Sequence, residues 1–183
     1  MRFKLTALLL AVVVVSATLG ASAYTTGSVS RTSSINVASD DGGLIGLSDG
    51  TSGDLVYMNA GQLAIDFSQG GATGANEDAT FTLGDTNDAT NSSAFNITNQ
   101  DTIAHDLTVS YTGAGASGDG TNNIEFQIYD NTGTLAKTVS EESTSATLTG
   151  VASGATYYVV IVVDTTNLDA STDDLSGTLT ISA

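Results

Sequence analysis

The stretch YYVVIVV, residues 157–163, is the segment that decides the fold, because it is apolar at every position. Side chains of a strand point alternately to the two faces of its sheet, so a strand without a polar side must be covered on both faces. The stretch therefore predicts a central strand that packs against a second sheet on one face. We expect some other segment of the chain to cover its opposite face.

Shorter segments on both sides of this stretch alternate apolar with polar residues, which is the pattern of strands with one buried face. Turn-forming Gly, Asp, Asn and Ser residues separate them at intervals of about 8 to 15 residues. The spacing predicts an all-β fold, a two-sheet jelly roll or β-sandwich of about nine or ten strands. Short helices over residues 60–65 or 87–93 remain alternatives, although neither segment has an apolar stripe. The alternating segments are 63–67, 95–97, 107–111, 124–129 and 179–182.

The first 23 residues have the features of a secretory signal peptide. Arg2 and Lys4 precede an apolar run, Leu8–Val15, and the small residues 21–23 follow it. That run is too short to cross a bilayer, and no later stretch approaches the roughly 20 apolar residues of a membrane helix. We therefore expect a secreted protein, extracellular or at the cell surface, without a transmembrane segment in the mature chain.

The chain is strongly acidic, with 20 acidic and 4 basic residues and a formal net charge of −16. Beyond residue 23 only Arg31 and Lys137 are basic, so the charge of that part is 2 − 20 = −18. Nucleic-acid binding is excluded, because it requires clustered Lys and Arg. Such a surface repels itself in dilute buffer, whereas near-molar salt shortens the Debye length to about 3 Å. The charge therefore indicates adaptation to concentrated salt.

Few residues could carry catalysis, so we expect that the protein is not an enzyme. The sequence has no cysteine and one histidine, His105, which lies near a predicted strand start and is interpreted as a surface residue. The loop 118–123 is the best oxygen-rich candidate for Ca²⁺, but Asp and Asn also form turns for local reasons. We assign no metal and no cofactor.

Two N-glycosylation sequons are present, at Asn91 in NSS and at Asn96 in NIT, and export would make them usable. Asn91 is the better acceptor because it falls in a predicted loop. Asn96 falls on the polar face of a predicted strand, so its modification depends on that face being open.

Residues 24–43 differ from the rest of the chain. The segment 24–37 is rich in Ser and Thr and has apolar residues, Val29, Ile35 and Val37, on one face. This pattern predicts an extended strand of up to about 46 Å, at roughly 3.3 Å per residue. Residues 40–43 are predicted to act as a hinge, and residues 44–183 to form the β-sandwich domain.

Several short sequence phrases beyond residue 23 are distinctive when taken together. They are YTTG at 24–27, RTSSINVASDD at 31–41, FNITNQ at 95–100, LTV at 107–109, VDT at 163–165 and GTLTISA at 177–183. With these phrases the chain resembles secreted haloarchaeal proteins of unknown function. More distantly, it resembles the TasA and camelysin group of biofilm matrix fibre subunits and the archaeal bundling pilins.

The resemblance implies a jelly-roll subunit that polymerises head to tail by donor-strand complementation. A strand freed by signal cleavage would complete the sheet of the next subunit. Val29, Arg31, Ile35 and Val37 would belong to the donor strand. The partner is then a second copy of the chain.

Two other functions remain open at the level of sequence. The protein could be a surface carbohydrate-binding or S-layer-associated adhesin module that binds cell-surface glycans through exposed aromatic residues, for which Tyr24, Tyr57 and Tyr129 are the candidates. A hydrolase with paired carboxylates is the remaining alternative, and nothing in the sequence indicates the cleft it would need.

Overall fold

The computed structural model describes residues 37–68, 72–113, 123–169 and 174–183. They belong to one compact unit that begins at Val37. A 3-10 helix, Asp40–Gly42, precedes the strands, and the described segments contain no helix long and apolar enough to span a membrane. The strands are β1 Ile45–Asp49, β2 Val56–Asn59, β3 Gln62–Ile65, β4 Thr80–Leu83, β5 Phe95–Asn99, β6 His105–Gly113, β7 Ile124–Tyr129, β8 Leu135–Ser140, β9 Ser145–Val151, β10 Thr156–Asp164 and β11 Gly177–Ser182.

The strands form a β-sandwich-like arrangement, which confirms the all-β prediction. A six-stranded sheet has the order β1-β5-β10-β7-β8, with β4 also paired to β10. A three-stranded sheet has the order β11-β6-β9, and β2 and β3 form a separate hairpin. All pairs are antiparallel. The described strands exceed the expected number, because short strands such as β2 and the mostly exposed β8 lack a clear alternating pattern.

Strand β10 is the centre of the large sheet, as the stretch 157–163 predicts. Strand β7 pairs along one edge of β10. The other edge is shared, since β5 pairs with Thr156–Val159 and β4 with Ile161–Asp164. Strands β4 and β5 therefore follow one line beside β10, and residues 84–94 leave the sheet between them. Val160 lies opposite this interruption.

The core lies between the two sheets and is built from the alternating apolar residues of both. The aromatic rings of Tyr111 in β6 and Phe126 in β7 meet across it with centroids 5.1 Å apart. In the two sheets, the alternating sequence pattern predicted strands β5, β6, β7 and β11. Strands β5, β6 and β7 supply buried side chains to the core, whereas Leu179 and Ile181 of β11 are only half-buried. The largest fully buried residues include Phe95, Ile97, Leu107, Phe126, Ile128 and Ile161.

The excursion 84–94 supplies the second cover that β10 requires. Ala89 packs with Val160, Tyr129 and Tyr158 in a small cluster separate from the main core. Gly84 starts the excursion with φ +98°, and a Cβ there would lie 2.8 Å from the carbonyl oxygen of Ser92. Only glycine fits this position without strain. The expectation that β10 is covered on both faces is confirmed.

Asn99, at the end of β5, joins the two sheets. Its side chain is buried and its amide nitrogen donates hydrogen bonds to the carbonyl oxygens of Ile103 and Val151, each at 2.8 Å. Its amide oxygen accepts a hydrogen bond from the backbone N–H of Asp101. Since Val151 belongs to β9, this residue connects the large sheet with the small one.

The segment predicted as a hinge is held against the β2–β3 hairpin. The backbone N–H of Asp40 donates to the carbonyl oxygen of Gly61, and the carboxylate of Asp40 accepts from the N–H of Leu63, both at 2.8 Å. The side chain of Gln100 donates to the carbonyl oxygen of Asp41. The compact unit thus includes residues that precede the predicted domain start at residue 44.

Candidate functional site

The outer edge of β11 is an unpaired strand edge in the part of the chain that the structure describes. Strand β11 pairs with β6 in unbroken register, from Gly177 opposite Gly113 to Ser182 opposite Thr108. Within the described ranges no strand pairs with its other edge. Its sequence, GTLTIS, contains neither a charged residue nor a proline. Both are devices that keep strand edges from pairing, so this edge is open to an added strand.

Two other edge strands, β8 and β9, are better protected. Strand β8 carries Lys137, and its ladder with β7 is interrupted between Ile128 and Tyr129. The ladder of β9 is interrupted in the same way opposite residues 105–107. Charges and bulges both oppose pairing with another chain. Beside β4, the ring of Phe81 is met edge-to-face by that of Phe67 at 5.7 Å.

A cavity of about 540 Å³ lies beside β11, between residues of the two sheets. Its volume is in the range of ligand pockets, and its apolar lining comes from strands β3, β6, β7, β10 and β11 and from the segments beside them. Strand β9, at the other edge of the small sheet, contributes no lining residue. The cavity therefore lies toward the β11 end of the small sheet, between the two sheets. Its apolar lining residues are Ile65, Phe67, Tyr111, Ile124, Phe126, Val163, Leu168, Leu175 and Leu179.

Tyr111 holds the chain at the start of β11. Its hydroxyl donates a hydrogen bond to the carbonyl oxygen of Leu175 at 3.0 Å. A Cβ at residue 177 would collide with this hydroxyl, so Gly177 allows the close approach. Burial, with smaller effects of the negative charges of Glu141 and Asp174, raises the pKa of Tyr111 to about 12. The hydroxyl therefore remains a donor at neutral pH.

Acidic residues also line the cavity, and they make its surroundings negative. The pKa of Asp66 is lowered by hydrogen bonds from the side chain and backbone of Ser68, and that of Asp174 by hydrogen bonds from Ser176. Both side chains therefore stay ionised at neutral pH. The acidic lining residues are Asp66, Glu77, Asp169 and Asp174. A strand that enters here is favoured if it carries a base.

The structure describes one of the predicted donor-strand residues. The side chain of Val37 is fully exposed, at 99%. Val29, Arg31 and Ile35 lie outside the described residues. Their role as donor residues stays a prediction.

The two sequons lie at neighbouring places in the fold. Asn91 is exposed on the excursion 84–94, and its side-chain amide donates to the carboxylate of Asp88 at 2.8 Å. Asn96 is half-buried in β5, where its amide oxygen accepts a hydrogen bond from the hydroxyl of Ser93. Whether either carries a glycan stays a prediction.

Tyr129 is not the exposed aromatic residue that the adhesin alternative needs. Its exposed fraction is 6%, because it packs beneath the excursion 84–94 with Ala89 and Val160. That prediction was wrong, since the sequence does not reveal that this loop covers the outer face of the sheet. Tyr57 is half-buried in β2, and Tyr24 lies outside the described residues.

The remaining candidates make structural contacts. His105 is the first residue of β6, and its Nε2 atom lies 2.7 Å from the Oδ2 atom of Asp101. This hydrogen bond is the main reason that the pKa of Asp101 is lowered. The described ranges contain no group of three or more His, Cys, Asp or Glu residues able to hold a metal ion. Most of the calcium candidate loop 118–123 lies outside these ranges.

Sequence reasoning did not identify β11 or the cavity as a site. The sequence signal that could have identified the site is the segment GTLTIS at 177–182, which has no charged residue and could have been interpreted as an edge strand. Comparison of the chain with models of known protein families finds no match, and comparison with curated proteins finds no similar sequence.

Proposed function

We propose that this protein is a secreted structural subunit of an extracellular filament or cell-surface matrix, related to the fibre subunits and pilins it resembles. Subunits assemble head to tail when the N-terminal strand of one copy, residues 24–37, is added to the sheet of the next. The single observation that carries the proposal is the uncharged, unbroken outer edge of β11, which no described strand covers.

The chemistry of that edge supports strand addition. An added strand forms main-chain hydrogen bonds along the edge, and its alternate side chains enter pockets that set the register. Six residues of β11 are available for such pairing. The apolar cavity next to β11 provides a place for the alternate side chains. Because each copy then offers one strand and accepts another, assembly continues as a filament.

The charge of the chain is compatible with polymerisation in concentrated salt. Copies that lack residues 1–23, with a net charge of 2 − 20 = −18, repel one another in dilute buffer, but near-molar salt screens that repulsion within about 3 Å. Main-chain hydrogen bonds and apolar burial at β11 involve no charged residue of that strand. Salt therefore weakens the repulsion between copies and leaves these main-chain and apolar contacts in place.

Electron microscopy of the purified mature protein in near-molar salt tests the proposal. We expect filaments from the intact protein and single subunits from a variant that lacks residues 24–36. Light scattering during dilution into low salt should show the filaments dissociating. An intact protein that stays monomeric, or a truncated variant that polymerises equally well, would contradict the proposed function.

A further inference from the structure

We infer that the cavity beside β11 is the receptor site for Ile35 of a second copy, with Arg31 of the same strand facing the acidic lining residues. This inference rests on the proposed function and names the site where the donor strand binds. The ligand is an extended peptide with one apolar face, supplied by residues 29–37 of the neighbouring subunit.

The sequence of the segment matches the walls of the cavity. In an extended strand the odd-numbered residues 29, 31, 33, 35 and 37 share one face. This face carries Val29, Ile35 and Val37 together with Arg31. The cavity offers apolar walls from both sheets and carboxylates in the same lining. This face of the segment therefore has apolar side chains that can pack against the cavity walls and a basic side chain that can pair with the acidic lining residues.

Val37, the described end of the proposed donor segment, is accessible to a second copy. It lies on the same predicted face as Ile35, two residues further along the chain. Its side chain is 99% exposed, and the residues after it are held against the β2–β3 hairpin through Asp40. This apolar side chain can therefore contact another subunit.

The cavity is large enough for the proposed role. At about 30 Å³ for each water in the liquid, 540 Å³ corresponds to roughly 18 water molecules. Aliphatic side chains that replace water along apolar walls gain the free energy of apolar burial. Ile35 is the largest apolar residue on the donor face, so its truncation should weaken association most.

Two variants that block opposite ends of the contact provide the test. Ile35→Asp places a charge on the donor strand, and Leu179→Asp places one on β11 in the lining of the cavity. We expect each variant alone to remain monomeric in near-molar salt. Mixed in equal amounts, they should form one-to-one dimers, because the intact strand of the second variant can enter the intact cavity of the first. Size-exclusion chromatography with light scattering distinguishes these species.

A control variant places the same charge at a different edge. Leu135 in β8 is 49% exposed, and Leu135→Asp should polymerise as the unmodified protein does. A graded series supports the assignment of the pocket. Ile35→Val should weaken association about fourfold and Ile35→Ala roughly fiftyfold, from one and three buried carbons respectively.

A second measurement does not depend on the folding of the Leu179→Asp variant. A synthetic peptide of residues 24–37, added to the full mature protein, should cap the filaments and shorten them. The same peptide with Ile35→Asp should have no effect.

The outcomes separate the inference from the proposed function. Filaments from Leu179→Asp, or filaments of unchanged length with the capping peptide, would overturn the inference and leave the proposed function standing. A mixture of folded blocked variants that stays monomeric would also overturn the inference. If the unmodified protein forms no polymer, both are wrong.

Discussion

Strands β10 and β11 belong to the same sandwich, but they differ in how many of their sides are covered. Strand β10 has neighbours on both edges and apolar cover on both faces. Strand β11 has one neighbour within the described residues, and its apolar side chains are only half-buried. The difference separates the part of the molecule that stabilises the fold from the part that is available for binding.

The largest expected effect tests this separation directly. Phe95, fully buried beside β10, should lose about 3–5 kcal/mol of unfolding free energy as Phe95→Ala, because of lost burial and the cavity left behind. Leu179→Ala on β11 should lose about 1 kcal/mol, since that side chain is half exposed before the change. Urea unfolding in near-molar salt measures both. Similar losses from the two variants would show that β11 belongs to the stabilising core.

A smaller loss is expected where the two regions are connected. Asn99→Ala should cost about 1–3 kcal/mol, because it leaves the carbonyl oxygens of Ile103 and Val151 without their hydrogen-bond donor. Asn87→Ala is the matched control, since Asn87 is exposed and its side chain bonds only with nearby Asp85. Unfolding curves that coincide for the two variants would argue against Asn99 as the connection between the sheets.

A substitution at Tyr111 should perturb the start of β11 without perturbing β10. Tyr111→Phe removes the hydrogen bond to Leu175 and should cost about 0.5–1.5 kcal/mol. Hydrogen exchange at the amides of residues 175–177 should become faster, while exchange in β10 stays unchanged. An equal acceleration in β10 would contradict the separation of the two regions.

The same variant changes the response to alkaline pH. The folded protein raises the pKa of Tyr111 from about 10 to about 12, so it favours the neutral side chain. The stability that this provides is complete below about pH 10 and is lost as the pH rises through about 12. Tyr111→Phe should therefore show a shallower fall of unfolding free energy over this range. An unchanged slope would mean that other groups, such as Tyr129, dominate alkaline unfolding.

The smallest effect is expected at the pair of Asp101 and His105. The hydrogen bond from His105 lowers the pKa of Asp101, so the folded state favours the ionised carboxylate. This contribution is present above the ordinary pKa of Asp and is lost as the pH falls through the lowered value. Asp101→Asn should give a slightly flatter acid-unfolding profile, measured by circular dichroism. Because both side chains of the pair remain partly accessible to solvent, a change as large as that of Asn99→Ala would be contrary to expectation.

The two regions also differ in how well the sequence predicts them. The position of β10 follows from seven consecutive apolar residues, which have no stable arrangement other than burial on both faces. The identity of its second cover does not follow, because the excursion 84–94 presents only Ala89 and depends on the interruption between β4 and β5. The burial of Tyr129 was missed for this reason.

The candidate site was harder to predict than the core. An edge strand and a central strand with one polar face share the same alternation, so the sequence of β11 does not show that one of its edges is open. The cavity depends on side chains as distant in sequence as Ile65 and Leu179, which pairing patterns alone do not bring together. The donor residues were predicted from the family resemblance and from their position after the predicted signal peptide.

The order of the strands along the chain also determines when the large sheet can assemble. Strands β4, β5 and β7 all pair with β10, which follows them in sequence at residues 156–164. At about 5–20 residues per second of synthesis, they wait several seconds or more for their common partner to leave the ribosome. These long sequence separations predict slow folding that begins only after β10 has been synthesised. A nascent chain of this protein therefore cannot complete its large sheet until residue 164 has left the ribosome.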